Sequence, residues 1–364
     1  MNDHGLKIIL AGGGTGGHVI PAIAIADEAA NRGNEVGFVG TSDRIEARLV
    51  PGAGYRIDFI KVKPLAGGGV GRKVKGLAHA PVSVISSMKL LKSLCPNVVI
   101  GVGGFVAGPV VLGAKLMGIP TALLEQNATV GLSNKILARM VRRAFVSYES
   151  TMRAFPAKRV ELTGNPVKRS ILEAARKPRV RGQGKVRVLV MGGSQGARAI
   201  DQMIPEAMSI AKLGGEVQVL HQCSKGRADQ VKNEYERAEV SVEVVDFIDD
   251  TASAFLDTDL VVARAGATTV SELTVMGLPA VFLPYPHHAD LQQEKNAAPM
   301  SAAGAAVIFK EKETTPQELA DAISRFVRDS DYRQRAAKAS LGLGRPDAAS
   351  RVVDGLMKIA KRRA

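Results

Sequence analysis

Two glycine turns, each set behind an apolar run, constrain this chain more than any other feature. The run at 7–11 (KIILA) leads straight into GGGTGGH at 12–18, and Pro21 with the stretch 22–30 reads as the following helix. The run at 186–191 (VRVLVM) leads into GGSQGAR at 192–198, and a helical stretch continues to residue 213. Glycines between a strand and a helix let backbone N–H groups approach a ligand closely, and a helix N-terminus favours negative charge. Each unit therefore reads as an anion cradle, and His18 adds to the first a group that titrates near neutral pH. One such turn is a weak signal; two, about half a chain apart, predict the openings of two α/β domains.

The length of 364 residues suits two domains, and aromatics make up only 4% with no Trp, so the cores must be aliphatic. That fits parallel strands rich in Val and Ile. In the first half, strands are expected at 6–11, 36–40, 98–101, 121–124 and 144–146. In the second they are expected at 186–191, 217–221, 242–247, 260–263, 280–284 and 306–309. Helical runs between them argue for right-handed βαβ units. The expected division is 1–165 and 166–344, at TGNP (163–166), with a C-terminal helix over about 345–364 packing back on the first domain. The basic stretch 174–185 suits a surface loop. The fold class is α/β, with two Rossmann-like doubly wound domains and ligands at the carboxyl ends of the strands, in an interdomain cleft. That is the GT-B layout of glycosyltransferases, although spacing alone also permits an epimerase or a binding protein.

The net charge of +14 calls for a basic surface or an anionic partner. Zinc-ligand spacing, an RNP-type aromatic run and a helix-turn-helix are all missing from the sequence, so nucleic acid is not expected. Cys95 and Cys223 make no disulfide framework, and the chain reads as reduced and cytoplasmic. Residues 98–117 are long enough to span a bilayer and carry only Lys115. Their glycines and Pro109 suit a strand, a third glycine turn and a helix better than one continuous helix.

The segment 259–273 (DLVVARAGATTVSEL) reads as a strand ending at Arg264, a turn, and a helix with Glu272 about a turn inside. Its N–H groups and threonine hydroxyls suit a pyrophosphate, and Glu272 suits a ribose diol. A lone glutamate on a helix is more commonly a surface or capping residue. Residues 287–296 (HHADLQQEKN) bring Gln292, Gln293 and Asn296, whose amides suit sugar hydroxyls; a polar helix start is the plainer alternative. Asp257, Thr258 and Asp259 mimic a metal-binding DxD, but their place just before a buried strand favours a helix-exit turn. No metal and no cofactor is expected.

Taken together, the motifs resemble the MurG family of bacterial glycosyltransferases. The resemblance rests on GGGTGGH (12–18), GVGGF (101–105), EQNATVGLSNK (125–135), TGNPV (163–167), MGGSQGAR (191–198), RAGATTVSEL (264–273) and DLQQEKNA (290–297), in order along nearly the whole chain. It implies transfer of N-acetylglucosamine (GlcNAc) from UDP-GlcNAc to the muramyl 4-hydroxyl of lipid I, with inversion and no metal, forming lipid II of peptidoglycan. Position by position it implies His18 as general base and Thr15, Gly16 and Gly17 as the loop facing acceptor diphosphate and donor. It implies Asn127 near the transferred sugar, Ser194 near the donor phosphates and Ile248 as a backbone contact to uracil. Ala267, Thr268, Thr269, Val270 and Ser271 fall on the phosphate turn, Glu272 on the ribose ligand, and Gln292, Gln293 and Asn296 on the sugar readers. Where the family carries Arg after GNPV, this chain has Lys168, which keeps the charge but not the planar fork; either Lys168 serves as a point charge or Arg169, the next residue, takes its place.

The implied acceptor is membrane-anchored, which gives the basic charge a task. The family's basic-rimmed apolar patch falls on Lys73, Lys75, Leu77, Val82, Ile85 and Met88, the first unit being the acceptor and membrane-facing one. A helix packed on its own domain would read the same way. The implied location is the cytoplasmic face of the inner membrane, peripherally, on an anionic leaflet and beside other cell-wall synthesis and division proteins. A UDP-GlcNAc 2-epimerase, another lipid glycosyltransferase and a catalytically silent UDP-sugar sensor are the alternatives.

Overall fold

The structure is a computed structural model that describes residues 5–62, 70–178, 184–193, 196–286 and 290–361, with the side chains of 70–80 and 361 outside the description. The chain divides into two compact units, Met1–Lys168 with Pro346–Ala364, and Arg169–Arg345.

In the first unit the strands are β1 (Lys7–Gly12), β2 (Glu35–Gly40), β3 (Ile57–Phe59), β4 (Val98–Gly103), β5 (Thr121–Glu125), β6 (Arg143–Val146) and β7 (Val160–Leu162). They form one parallel sheet in the order β3-β2-β1-β4-β5-β6-β7. Its helices are α1 (Gly16–Asn31), α2 (Glu46–Gly52), α3 (Val70–Leu94), α4 (Ala107–Leu116), α5 (Leu132–Leu137) and α6 (Glu149–Met152). Ile8, Ile9, Leu10 and Ile100 are fully buried or nearly so, as strands covered on both faces require.

The second unit has helices α7 (Arg169–Ala175), α8 (Arg198–Ile210), α9 (Ala228–Arg237), α10 (Thr251–Leu256), α11 (Ala267–Met276), α12 (Gln292–Ala302), α13 (Pro316–Arg328) and α14 (Ser330–Gly342). Its strands are β8 (Val186–Met191), β9 (Val217–Gln222), β10 (Ser241–Val245), β11 (Leu260–Ala263), β12 (Ala280–Phe282) and β13 (Ala306–Ile308). They too are parallel, in the order β10-β9-β8-β11-β12-β13. Helix α15 (Ala348–Lys361) returns to the first unit. Its stripe of Val352, Val353 and Leu356 enters the same core as Ile8, Leu10, Ile25 and Phe145, and Asp354 pairs with Arg32, the residue that caps the end of α1. Strand order reverses between β1 and β4 in one sheet and between β8 and β11 in the other, where a doubly wound sheet opens a crevice at its carboxyl edge.

Three details differ from the sequence expectation. β3 and β7 are edge strands of three residues, half-buried or exposed and carrying Asp58 and Glu161, so they show neither an apolar run nor alternation. Helix α1 starts at Gly16 rather than after Pro21. Pro21 cannot donate to the Gly17 carbonyl, but Gly17 lies in an exposed first turn where water can serve it. Strand β4 runs on to Gly103, so 98–117 is a strand and a short helix. Among the described residues no helix is long and apolar enough to cross a membrane.

Candidate active site

The switch point of the first unit is built around His18. It sits in the first turn of α1, whose Gly16 and Gly17 N–H groups have no helical carbonyl ahead of them. His18 Nδ1 lies 3.2 Å from the Gly13 carbonyl oxygen and 3.2 Å from Thr15 Oγ1. A carbonyl only accepts, so these partners assign the proton of the neutral ring to Nδ1 and leave Nε2 with a lone pair. Burial pushes the imidazole below the ordinary histidine value, against the opposing pull of the Gly13 carbonyl and the Glu46 charge. The ring occupies space that only glycine leaves open. A Cβ on Gly103 would stand 2.5 Å from His18 Cδ2, and Gly103 has φ +103°.

Glu46, which the sequence reading did not single out, supports the loop from behind. It is 1% exposed, and its carboxylate accepts the Gly14 N–H at 2.8 Å, the Thr41 N–H at 3.1 Å and the Thr41 hydroxyl at 2.8 Å. The available signal was an acidic residue opening a short helix among apolar positions. The EQN stretch divides its labour. Glu125 accepts the N–H groups of Asn127 and Gly131 and the Asn134 amide, and Gln126 Nε2 donates to the Val102 carbonyl at 2.7 Å. Burial raises the Glu125 carboxyl above its ordinary range, and those donors pull it back. Both side chains are consumed inside the fold; Asn127, whose side chain also hydrogen-bonds Glu125, is half-buried at the sheet's carboxyl edge.

In the second unit, α11 opens at Gly266, and Val270 N–H already donates to the Gly266 carbonyl at 2.9 Å. The N–H groups left for a ligand are therefore those of Ala267, Thr268 and Thr269. Ala267 and Val270 bury their side chains, Ser271 Oγ donates to the Ala267 carbonyl, and Thr269 is half-buried. Thr268 Oγ1 is buried without a hydrogen-bond partner among the described residues. Glu272 is 7% exposed in the second turn.

Gln293 and Asn296 tie down the entry to this helix. Gln293 Oε1 accepts the Ala265 N–H at 3.2 Å and the Tyr285 N–H at 2.9 Å, and fully buried Asn296 donates to the Ala265 carbonyl at 3.2 Å. Gln292 is half-buried at the start of α12. Arg264, given no role in the sequence reading, donates to the Leu283 and Pro284 carbonyls and pairs with Glu311.

The remaining residues fall as follows. Ile248 is half-buried just after β10. Ser194, Gln195, His287 and His288 lie outside the described residues. Arg169 is exposed and paired with Glu173 at 2.7 Å, whereas half-buried Lys168 faces no carboxylate among the described residues. Asp257 caps the end of α10, and it and Asp259 both face Arg187, at 3.2 and 3.8 Å. The DxD look-alike is thus a helix exit, and no group of three metal-ligating side chains occurs among the described residues. On α3, Val82 and Ile85 are 61% and 53% exposed, while Met88 is half-buried, with its Cγ near Gly113 of α4. Lys73, Lys75 and Leu77 belong to the same helix, with side chains outside the description.

Residues 8–146 match the glycosyltransferase family 28 N-terminal domain and residues 187–352 the family's C-terminal domain. The chain is 43% identical over 353 residues to the UDP-N-acetylglucosamine–N-acetylmuramyl-(pentapeptide) pyrophosphoryl-undecaprenol N-acetylglucosamine transferase of Myxococcus xanthus, covering 96% of this chain and 92% of the relative. A protein of the same name in Geobacter metallireducens is 40% identical over 357 residues, covering 97% and 98%. The fold matches the crystal structure of Acinetobacter baumannii MurG with a TM-score of 0.79 at 29% identity, over 97% and 99% of the two chains. It also matches a UDP-GlcNAc 2-epimerase from Neisseria meningitidis with a TM-score of 0.69 over 97% and 100%, at 14% identity, a likeness of fold alone.

Proposed function

The chain belongs to glycosyltransferase family 28, and we infer that it transfers N-acetylglucosamine from UDP-N-acetylglucosamine to lipid I, forming lipid II in peptidoglycan synthesis. The observation that carries the mechanism is the His18 ring, whose Nδ1 faces the Gly13 carbonyl and whose Nε2 keeps its lone pair. In this reading the first unit takes the acceptor and the second takes the donor.

Nε2 accepts the proton of the muramyl 4-hydroxyl as that oxygen bonds to the anomeric carbon. The bond from this carbon to the UDP oxygen breaks, UDP leaves with the electron pair, and the α-linked sugar becomes β-linked. The proton passes from His18 to solvent once product departs. Thr15, Gly16 and Gly17 line the acceptor side, and Asn127 contacts the transferred sugar. Charge growing on UDP is met by the first N–H groups of α11, by the Thr268 and Thr269 hydroxyls, by Ser194 and by Lys168 as a point charge. These donors supply the countercharge, so no metal is required. Glu272 accepts from the ribose diol, and Ile248 offers backbone to uracil. Gln292 and the Nε2 of Gln293 read the sugar hydroxyls, and Asn296 serves by fixing the Ala265 carbonyl.

The exposed Val82 and Ile85 on basic helix α3 support peripheral docking on the anionic cytoplasmic leaflet, with Lys73, Lys75 and Leu77 on the same helix. Each cation near such a surface contributes about 1 kcal/mol. Vesicle binding by a Lys73→Glu/Lys75→Glu variant that keeps wild-type strength and salt response would overturn this. The activity itself is tested by following labelled GlcNAc from UDP-GlcNAc onto a short-chain lipid I analogue, with and without EDTA. Transfer indifferent to EDTA supports the reading. Loss restored by a divalent cation sinks metal independence, and UDP-GlcNAc binding without transfer, or 2-epimer formation, sinks the assignment.

A further inference from the structure

Under the second glycine turn lies a buried polar cluster that the transfer chemistry does not use. Asp201, in the first turn of α8, and His221, near the end of β9, have fully buried side chains, with His221 Nε2 3.4 Å from Asp201 Oδ1. The other carboxylate oxygen accepts the Ser224 N–H at 3.2 Å and stands 3.8 Å from Arg227 Nε. On the far side of the imidazole, the hydroxyl of fully buried Tyr235 is 3.0 Å from Nδ1.

The cluster gathers the segments that leave adjacent strands. Gly196 of the turn lies directly against Ser224, where a Cβ would stand 2.4 Å from Ser224 Cα, and its φ is +70°. Gln222 Nε2 extends the connection to the Asp246 carbonyl at 3.3 Å, two residues before Ile248. A carboxylate removed from water is costly, and its partners fix geometry more dependably than they add stability. We propose that Asp201 is a positioning residue of the donor site: it ties the start of α8 to the Ser224 turn on which Gly196 rests, and so sets the glycine turn that receives the donor diphosphate.

The protonation states agree with that role. Burial alone would raise the Asp201 carboxyl, yet His221 and Ser224 hold it below the ordinary carboxylate range. Burial pushes His221 below its ordinary value against the pull of Asp201. At neutral pH the arrangement is an anionic Asp201 whose Oδ1 stands 3.4 Å from Nε2 of a neutral ring, with the Tyr235 hydroxyl at the ring's other nitrogen.

The inference rests on the second unit being the UDP-sugar site, and UDP binding by calorimetry separates the two. Asp201→Asn keeps the shape but removes the charge and leaves buried donors mismatched, which should weaken UDP binding about tenfold. At saturating UDP-GlcNAc its kcat should remain within about twofold of wild type, since a positioning loss on the donor alone appears in KM. Tyr235→Phe, which touches only the outer end of the cluster, should lower Tm and leave UDP affinity alone. If Asp201→Asn is too unstable to assay, Arg227→Gln must show the same KM-weighted loss. Wild-type UDP affinity in the variant that folds overturns the inference, as does an equal loss in Tyr235→Phe. A wild-type protein that does not bind UDP overturns the donor-site reading and this inference with it.

Discussion

The two units share one strand order and reverse it at the same place, yet they furnish the carboxyl edge differently. At the β1/β4 switch point the loop carries a titratable ring, a carbonyl that sets its tautomer, and a buried glutamate that braces the loop. At the β8/β11 switch point the turn after β11 opens a helix start with backbone N–H groups, a threonine hydroxyl without a partner among the described residues, and side-chain amides bracing the turn. One topology thus offers a proton acceptor on one side and an anion cradle on the other. The difference lies in which side chains stand behind the turn. A loop that must aim one ring needs a fixed acceptor, whereas a cradle needs only oriented donors.

The largest blow to this division should come from His18→Ala. Removing a positioned general base lowers kcat by about 10²–10⁴-fold, while UDP-GlcNAc affinity, in this reading held by the second unit, should stay at the wild-type value. Steady-state rates beside calorimetry decide it, and a kcat near wild type would move the base elsewhere. Gly103→Ala attacks the same ring without touching it, since the new methyl would meet His18 Cδ2 at 2.5 Å. A displacement of that kind should lower kcat by up to about 100-fold, and an unchanged rate would mean that ring placement is not critical. The opposite pattern is expected for Glu272→Gln. Losing charge-assisted bonds to the ribose should raise KM for UDP-GlcNAc by about 10–100-fold with a smaller change in kcat.

The smallest effect should appear in pH dependence. A base must be unprotonated, and His18 lies below the ordinary histidine value, so kcat/KM should fall on the acid side with a midpoint below about 6.5. Glu46 pulls that value up, so Glu46→Gln should move the midpoint further acid. A shift toward alkali would show that the Glu46 charge does not raise the ring's value, and a wild-type midpoint above about 6.5 that burial does not lower it.

Much of the fold was legible because parallel strands buried on both faces must be continuous apolar runs, as 188–191 and 260–263 are. The edge strands β3 and β7 were not, because three residues packed on one side leave no period to read. Within the site, the glycine turns and His18 stood out by residue type alone. Glu46 did not, since its partners are Gly14, 32 residues away, and Thr41 in a stretch with no motif. Nor could sequence rank the amides. Gln126, Asn134 and Asn296 look as available in sequence as Gln292, yet these three are buried on backbone carbonyls.

Sequence by itself determined the two α/β units, their parallel strands, the glycine turns at their openings and the family, because periodicity, turn chemistry and motif order are local properties of the chain. Tertiary structure alone decided which polar groups are spent inside the fold. It also decided which nitrogen of His18 carries the proton and that Gly103 must stay bare to admit the ring. The physical reason is that a buried donor or acceptor must find a partner. Here the partner is commonly a backbone atom of a neighbouring strand or turn, brought close by sheet packing rather than by nearness in the chain.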